Sequence, residues 1–205
     1  GRLIPAGTRL PENNDVLVKL QNKASDDINA NDLPIHERAS RFRLGYVTQT
    51  AAVFLNMSVQ DNLKSIAQQH IKDKDERDKK IESLIAEFNL DHIRLQKGKV
   101  LSGGEKRRVS CAMNLVRDPQ IILLDEPLSA LDPISIENMK DLIFTLQRKK
   151  IAVCVSDHNF RDVMSIADRI LIIGAGEVQI SGTPKEISVN KYAIENYFGN
   201  TNFKI

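Results

Sequence analysis

The chain has no large excess of charge of either sign: 29 Lys plus Arg stand against 27 Asp plus Glu, for a net charge of +2. That balance gives no reason to expect a nucleic-acid partner or an anionic membrane surface. Lys106-Arg107-Arg108 and Arg148-Lys149-Lys150 are therefore expected on solvated helix faces. Uninterrupted aliphatic stretches are only a few residues long, far short of the roughly 20 that span a bilayer. A chain soluble by itself is expected. With no charged-then-apolar leader, secretion is not expected. The two cysteines, Cys111 in a predicted helix and Cys154 in an apolar strand, have no metal-ligand spacing and read as buried thiols of a reducing compartment. Neither an internal repeat nor a low-complexity tract is present. Also missing is any G-x-x-x-x-G-K-[ST] loop, the usual grip on a nucleotide's phosphates.

What is there begins weakly. Pro5, Gly7, Pro11 and Asn13 to Asp15 punctuate residues 1–32, which read as a loop-rich remnant or insert with Val16-Leu17-Val18 as its strand. A short helix, His36 to Ser40, leads to a strand at Leu44 to Val47. Ser58 is placed to cap a helix reaching His70, and Ile81, Leu84, Ile85 and Phe88 recur at helical spacing within Asp75 to Leu90. Beyond Glu105 the pattern alternates: helices at 104–117, 133–149 and 159–167, strands at 120–124, 151–155 and 169–173. Such alternation predicts a mostly parallel sheet with helices packed on it. Gly174-Ala175-Gly176 predicts a hairpin turn, because no helix follows it. Thr183-Pro184 restarts a helix, and another covers Tyr192 to Phe198.

Two segments carry chemistry. In Leu101-Ser102-Gly103-Gly104-Glu105, Ser102 and Glu105 form a capping box, and the two glycines leave a helix N-terminus sterically open to a phosphate. In Ile121 to Pro127 an apolar strand ends in Asp125, suited to Mg²⁺, and Glu126, suited to orient or deprotonate a water. Asp132 and Pro133 mark a helix start. Strand 151–155 ends at Ser156-Asp157-His158, where His158 is a candidate γ-phosphate donor. Ala51 to Leu55 is apolar for a loop, which fits either core or a greasy surface for a partner.

In order, Gln49, Leu101 to Glu105, Leu124 to Pro127, Ser129 to Asp132 and His158 resemble the Q-loop, signature, Walker B, D-loop and H-loop of ABC-transporter ATPases. Leu33 to Ala39, Leu44 to Tyr46, Asp157 to Asn159, Gly182 to Pro184 and Tyr197 to Gly199 are similar to lipopolysaccharide-export ATP-binding subunits, with branched-chain amino-acid importer ATPases close behind. The resemblance implies an α/β, P-loop NTPase-like fold with a mostly parallel sheet, its N-terminal part incomplete. It divides residues 1–205 into the 1–32 remnant, a helical signature subdomain at about 56–117, a catalytic core at 118–182 and C-terminal helices at 183–205. ATP and Mg²⁺ are the implied cofactors. Glu126 and His158 are the implied catalytic residues, Ser102, Gly103, Gly104, Gln49 and Asp132 nucleotide contacts, and Asp125 and Gln49 metal ligands. Partners follow by the same analogy: a second ATPase subunit, a homodimer sandwiching two ATP molecules, and transmembrane subunits docking near Phe54. That places the chain in the cytoplasm at the inner face of the inner membrane.

The sequence departs from this family in three ways. The phosphate loop is missing and Gly7-Thr8-Arg9 does not replace it, so a chain lacking its N-terminal quarter is expected. Met113-Asn114 replace the usual Arg-Ala, and Pro11 to Asn29 is long. A non-catalytic cassette lending its turn to a complete paralogue is the alternative. A soluble cassette acting on DNA or ribosomes would carry a coiled-coil insertion or a tandem second cassette, and neither is present.

Overall fold

The computed structural model describes residues 17–18, 28–29, 34–41 and 43–198. They fall into two compact units that meet in the chain between Ser156 and Asp157. Gly1 to Arg9, whose departure from a phosphate loop was noted above, lies outside the described residues.

In the first unit a short antiparallel ladder pairs β1 (Leu17–Val18) with β2 (Ile28–Asn29). The Leu17 strand was expected; its partner, isolated among polar residues, was not. After α1 (Ile35–Arg41), three strands form a parallel sheet in the order β3 (Leu44–Val47), β4 (Ile121–Asp125), β5 (Ala152–Ser156). Asp125 is level with Ser156 in this register, so both strands finish at the same edge. That is the carboxyl edge, where open α/β sheets collect ligands.

Helices α2 (Val59–His70), α3 (Lys74–Glu87) and α4 (Gly103–Leu115) pack together. Ser58 caps α2 by accepting the Asp61 N–H, and Asp73 caps α3 through the Glu76 N–H. The latter starts α3 one residue before the predicted helix. It ends at Glu87, earlier than expected, and Asn89 turns left-handed (φ 51°) just beyond. Val59, Leu63, Ala67, Ile85 and Val109 are fully buried between these helices. Full burial of a Leu or Ile side chain is worth about 1.5–3 kcal/mol, which makes this layer a firm support for the α4 N-terminus. The fourth long helix, α5 (Pro133–Arg148), buries Met139, Leu142, Ile143 and Leu146.

Two expectations fail in this unit. Cys111 is buried, its thiol pushed up to about 12 by loss of water, but Cys154 is exposed. The apolar run Val153-Cys154-Val155 reads like a central strand, yet β5 is the last of three in the described sheet. Arg107 is not on a solvated face either: only 8% of it is exposed.

In the second unit, α6 (Phe160–Ile166) precedes the hairpin of β6 (Ile170–Gly174) and β7 (Glu177–Gly182). Gly176 takes the left-handed turn position, at φ 86°. The strand at 170–174 thus has an antiparallel partner. Next come α7 (Pro184–Ser188) and α8 (Lys191–Ala193), which widens into a π turn at Ile194–Phe198. Met164, Ile187, Ala193 and Phe198 form this unit's core, with Phe160 stacked on Phe198 at 4.7 Å.

Candidate functional site

The Ser102-Glu105 box forms as expected. Ser102 Oγ accepts the Glu105 N–H, and Glu105 Oε2 accepts the Ser102 N–H at 2.7 Å. Those two bonds leave the N–H groups of Gly103 and Gly104 with no acceptor among the described residues, at the positive end of a 13-residue helix. A Cβ on Gly103 would meet nothing within 4 Å, so an anion has room to reach both donors. Gly104 has a packing part that the sequence did not suggest. A Cβ there would lie 3.3 Å from Ser135 Oγ and near Leu131, so this glycine lets α4 approach the start of α5 closely.

At the tip of β4, both Asp125 oxygens are held by neutral hydroxyls. Ser156 Oγ donates to Oδ1 at 2.7 Å and Tyr46 OH donates to Oδ2 at 3.1 Å. Burial and the neighbouring carboxylate raise the Tyr46 phenol, which keeps it a donor at neutral pH. Glu126 is turned away from the strand by a left-handed backbone (φ 46°) that its N–H stabilises by donating to Ser156 O at 2.7 Å. Its Oε2 accepts from Gln49 Nε2 at 2.7 Å. Gln49 therefore meets the expected base directly.

The loop after Glu126 carries a second left-handed residue, Ala130 (φ 55°). Each such non-glycine residue costs on the order of 1–2 kcal/mol, so the surroundings must hold the loop in place. Arg107, from α4, does so: its Nη1 donates to Pro127 O at 2.9 Å and Ser129 O at 2.8 Å. Asp132 closes the loop as N-cap of α5, accepting the Ile134 and Ser135 N–H groups and the Ser135 hydroxyl. Those bonds, the Ser135 hydroxyl foremost, hold its carboxyl below the usual range.

Gln49, Ser102, Gly103, Gly104, Asp125, Glu126 and Asp132 all belong to the first unit, whereas His158 opens the second. Its exposed ring has Nδ1 3.8 Å from Asp157 Oδ1. Tyr46, Ser156 and Arg107 are the site residues whose roles the sequence did not suggest. Only the pairing register, which sets Ser156 beside Asp125 and Tyr46 beside Leu123, singles out the first two. Among the described residues no three His, Cys, Asp or Glu converge as a metal cage. A single carboxylate still fits Mg²⁺, which keeps waters and takes phosphate oxygens from its nucleotide.

Residues 14–129 match the family model described as ABC transporter. The chain belongs to the ABC transporter family. It is an ATPase-type cassette with the α/β fold of that family. Lipopolysaccharide export system ATP-binding protein LptB of Haemophilus influenzae is 39% identical over 169 residues, 82% of this cassette and 69% of that protein. Among solved structures, cbiO1 of Clostridium perfringens, part of the ABC transporter complex cbiONQ, superposes with a TM-score of 0.69 at 27% identity. The match covers 76% of this cassette and 62% of that chain, so this cassette spans less than two thirds of it. An ATP-binding cassette solved as a dimer in a post-hydrolysis state, bound to ADP and Pi, gives a TM-score of 0.66 at 26% identity, covering 78% and 72% of the two chains.

Around Phe54 the backbone is firmly held. Asn62, buried in α2, accepts the Phe54 N–H at 2.7 Å and donates to Phe54 O and Ser58 O. Gly98 N–H donates to Met57 O at 2.9 Å, and a Cβ on Gly98 would lie 2.9 Å from Phe54 O. Phe54, Leu55 and Met57 nonetheless stay exposed. The apolar loop is a surface, not core.

Proposed function

We propose that the cassette is the ATP-binding subunit of a lipopolysaccharide exporter, paired with a second copy of itself. The observation that carries the mechanism is the pair of open N–H groups at Gly103 and Gly104, linked within one unit to the acid pair at the tip of β4. The α4 turn of one copy faces the triphosphate bound by the other, and Asp125 would hold Mg²⁺. Bound Mg²⁺ supplies charge neutralisation at the phosphates. Glu126, aimed by Gln49 and its left-handed backbone, orients or deprotonates the attacking water. Asp132 contacts the nucleotide from the partner-facing loop, and His158 is assigned a nucleotide contact by the family resemblance alone. Transmembrane subunits dock on Phe54, Leu55 and Met57, which places the cassette on the cytoplasmic face of the inner membrane. Nucleic acid has no part in this function. The lipopolysaccharide assignment draws on the LptB relative.

The 205 residues contain no G-x-x-x-x-G-K-[ST] loop, so the chain by itself lacks most N–H donors to the β- and γ-phosphates and their lysine. Calorimetric titration with ATP and Mg²⁺ is expected to give a Kd no tighter than about 1 mM. Micromolar binding with ordinary turnover would overturn that part of the proposal. For the docking surface, Phe54→Ala with Leu55→Ala should abolish co-purification with membrane subunits from detergent extracts. Undiminished co-purification would move the docking site elsewhere.

A further inference from the structure

We propose that Arg107 is a positioning residue that makes the anion-facing turn of α4 and the loop carrying Glu126 move as one piece. The inference rests on the ATPase reading for its consequence, but the link itself stands on geometry. One guanidinium nitrogen donates to two carbonyls, Pro127 O at 2.9 Å and Ser129 O at 2.8 Å, from a side chain that is 8% exposed. A charged donor to neutral carbonyls makes a stronger bond than an amide does, and burial shields it from competing water. Those carbonyls lie between Glu126 and Ala130, the two left-handed residues of the loop. The clamp therefore sits on the stretch of backbone least able to keep its shape unaided.

Arg107 is also one helical turn beyond Gly103 and Gly104, on the same helix. Gly104 packs against Ser135 and Leu131, so α4 touches this loop at both of its ends. A shift of the Gly103 turn, driven by a triphosphate arriving or leaving, is carried through Arg107 to the backbone of Glu126. In the two-copy assembly, each copy's turn addresses one nucleotide and its acid pair the other. Arg107 is thus a hydrogen-bonded connection, within one chain, between the two sites.

Hydrogen exchange of the 205-residue chain, followed amide by amide, tests the link directly. In Arg107→Met, exchange at the Glu126 and Ser129 amides, which donate to Ser156 O and Glu126 O, is expected to quicken at least about tenfold, with Leu63 and Ile143 unchanged. Arg107→Lys keeps a cationic donor but not the planar fork, so an acceleration of about threefold confined to the same two amides is expected. Should Arg107→Met fail to fold, the lysine variant decides. Unchanged exchange at Glu126 and Ser129, or acceleration spread evenly over the unit, overturns the proposal. In a transporter assembly that supplies the phosphate loop these 205 residues lack, Arg107→Lys is expected to lower kcat about tenfold with the nucleotide KM within about threefold. A raised KM at unchanged kcat overturns the coupling. The exchange measurement on the 205-residue chain judges the link whether or not the assembly turns over, so failure of the link and failure of the ATPase reading are read separately.

Discussion

Two helices of this cassette open on the same side-chain device. Ser102 and Glu105 box the start of α4, and Thr183 and Glu186 box the start of α7, with matching 2.7 Å bonds from the cap N–H to each glutamate. Their interiors differ. The first box encloses two glycines and leaves their N–H groups open at the head of a 13-residue helix. The second encloses Pro184, which has no N–H to offer, and heads a helix of only 5 residues. A capping box is therefore a stabilising device, and what makes one of the two a candidate phosphate site is the surroundings: the close approach at Gly104, the Arg107 clamp and the acid pair beyond it.

The largest expected effect removes the feature that the second box lacks altogether. Glu126→Gln keeps the shape and a hydrogen-bonding partner for Gln49 but abolishes the base. Turnover in the transporter assembly is expected to fall by about 10²–10⁴-fold with nucleotide binding nearly intact. Turnover within twofold of wild type would remove Glu126 from the chemistry and leave both boxes equally ordinary.

A carboxylate placed inside each box probes the difference next. Gly103→Asp fits, because a Cβ there meets open space, yet it puts negative charge where the phosphates belong. A loss of about 10²-fold in turnover without loss of thermal stability is expected. Pro184→Asp is expected to leave turnover within about twofold, since an acidic first turn suits any helix. Equal losses from the two substitutions would break the distinction between the boxes.

Much of this contrast was legible in the sequence, because it is local. Ser-x-x-Glu around two glycines, an apolar run ending in Asp-Glu, and Asp-Pro before a helix each have their effect within a few residues, and the structure has them where the spacing put them. Asp125 is held, by contrast, by groups 79 and 31 residues away along the chain, Tyr46 and Ser156. Those bonds depend on strand register, which no local pattern reveals. Arg107 looked like one of three solvated cations because its acceptors, the carbonyls of Pro127 and Ser129, are backbone atoms and leave no mark on the sequence. Cys154 was misread for a related reason: an apolar strand reads as central, and the order of the strands decides whether it is. The expected end of α3 ran past Glu87 because Phe88 continues the apolar spacing, whereas the left-handed Asn89 turns the chain out of the helix.

Where the boxes are alike, alike responses are expected. Ser102→Ala and Thr183→Ala should each cost about 1 kcal/mol of stability, read by urea denaturation. Only the former should also lower turnover. If Ser102→Ala leaves turnover untouched, the α4 cap serves the helix alone.

The smallest effect is in pH, and it has the same sign in both boxes. For Glu105, partial burial pushes the carboxyl up, but the Ser102 N–H and hydroxyl, with Arg108 and His92, outweigh it and bring it below its ordinary value. For Glu186, the Thr183 N–H and hydroxyl lower it, against slight desolvation and with help from Arg169. A carboxyl lowered on folding stabilises the folded form above its unfolded value, about 4.3, and loses that contribution as pH falls through the folded value. Both boxes should thus weaken only in acid, and NMR titration of the two side-chain carboxyls should place both midpoints under about 4.3. Ser102→Ala removes the hydroxyl bond but keeps the backbone N–H, so the Glu105 midpoint should rise part of the way back. A midpoint unmoved by that substitution would show that the backbone N–H with Arg108 and His92, rather than the Ser102 hydroxyl, holds Glu105 ionised, and the likeness between the two boxes would then not extend to their hydroxyls.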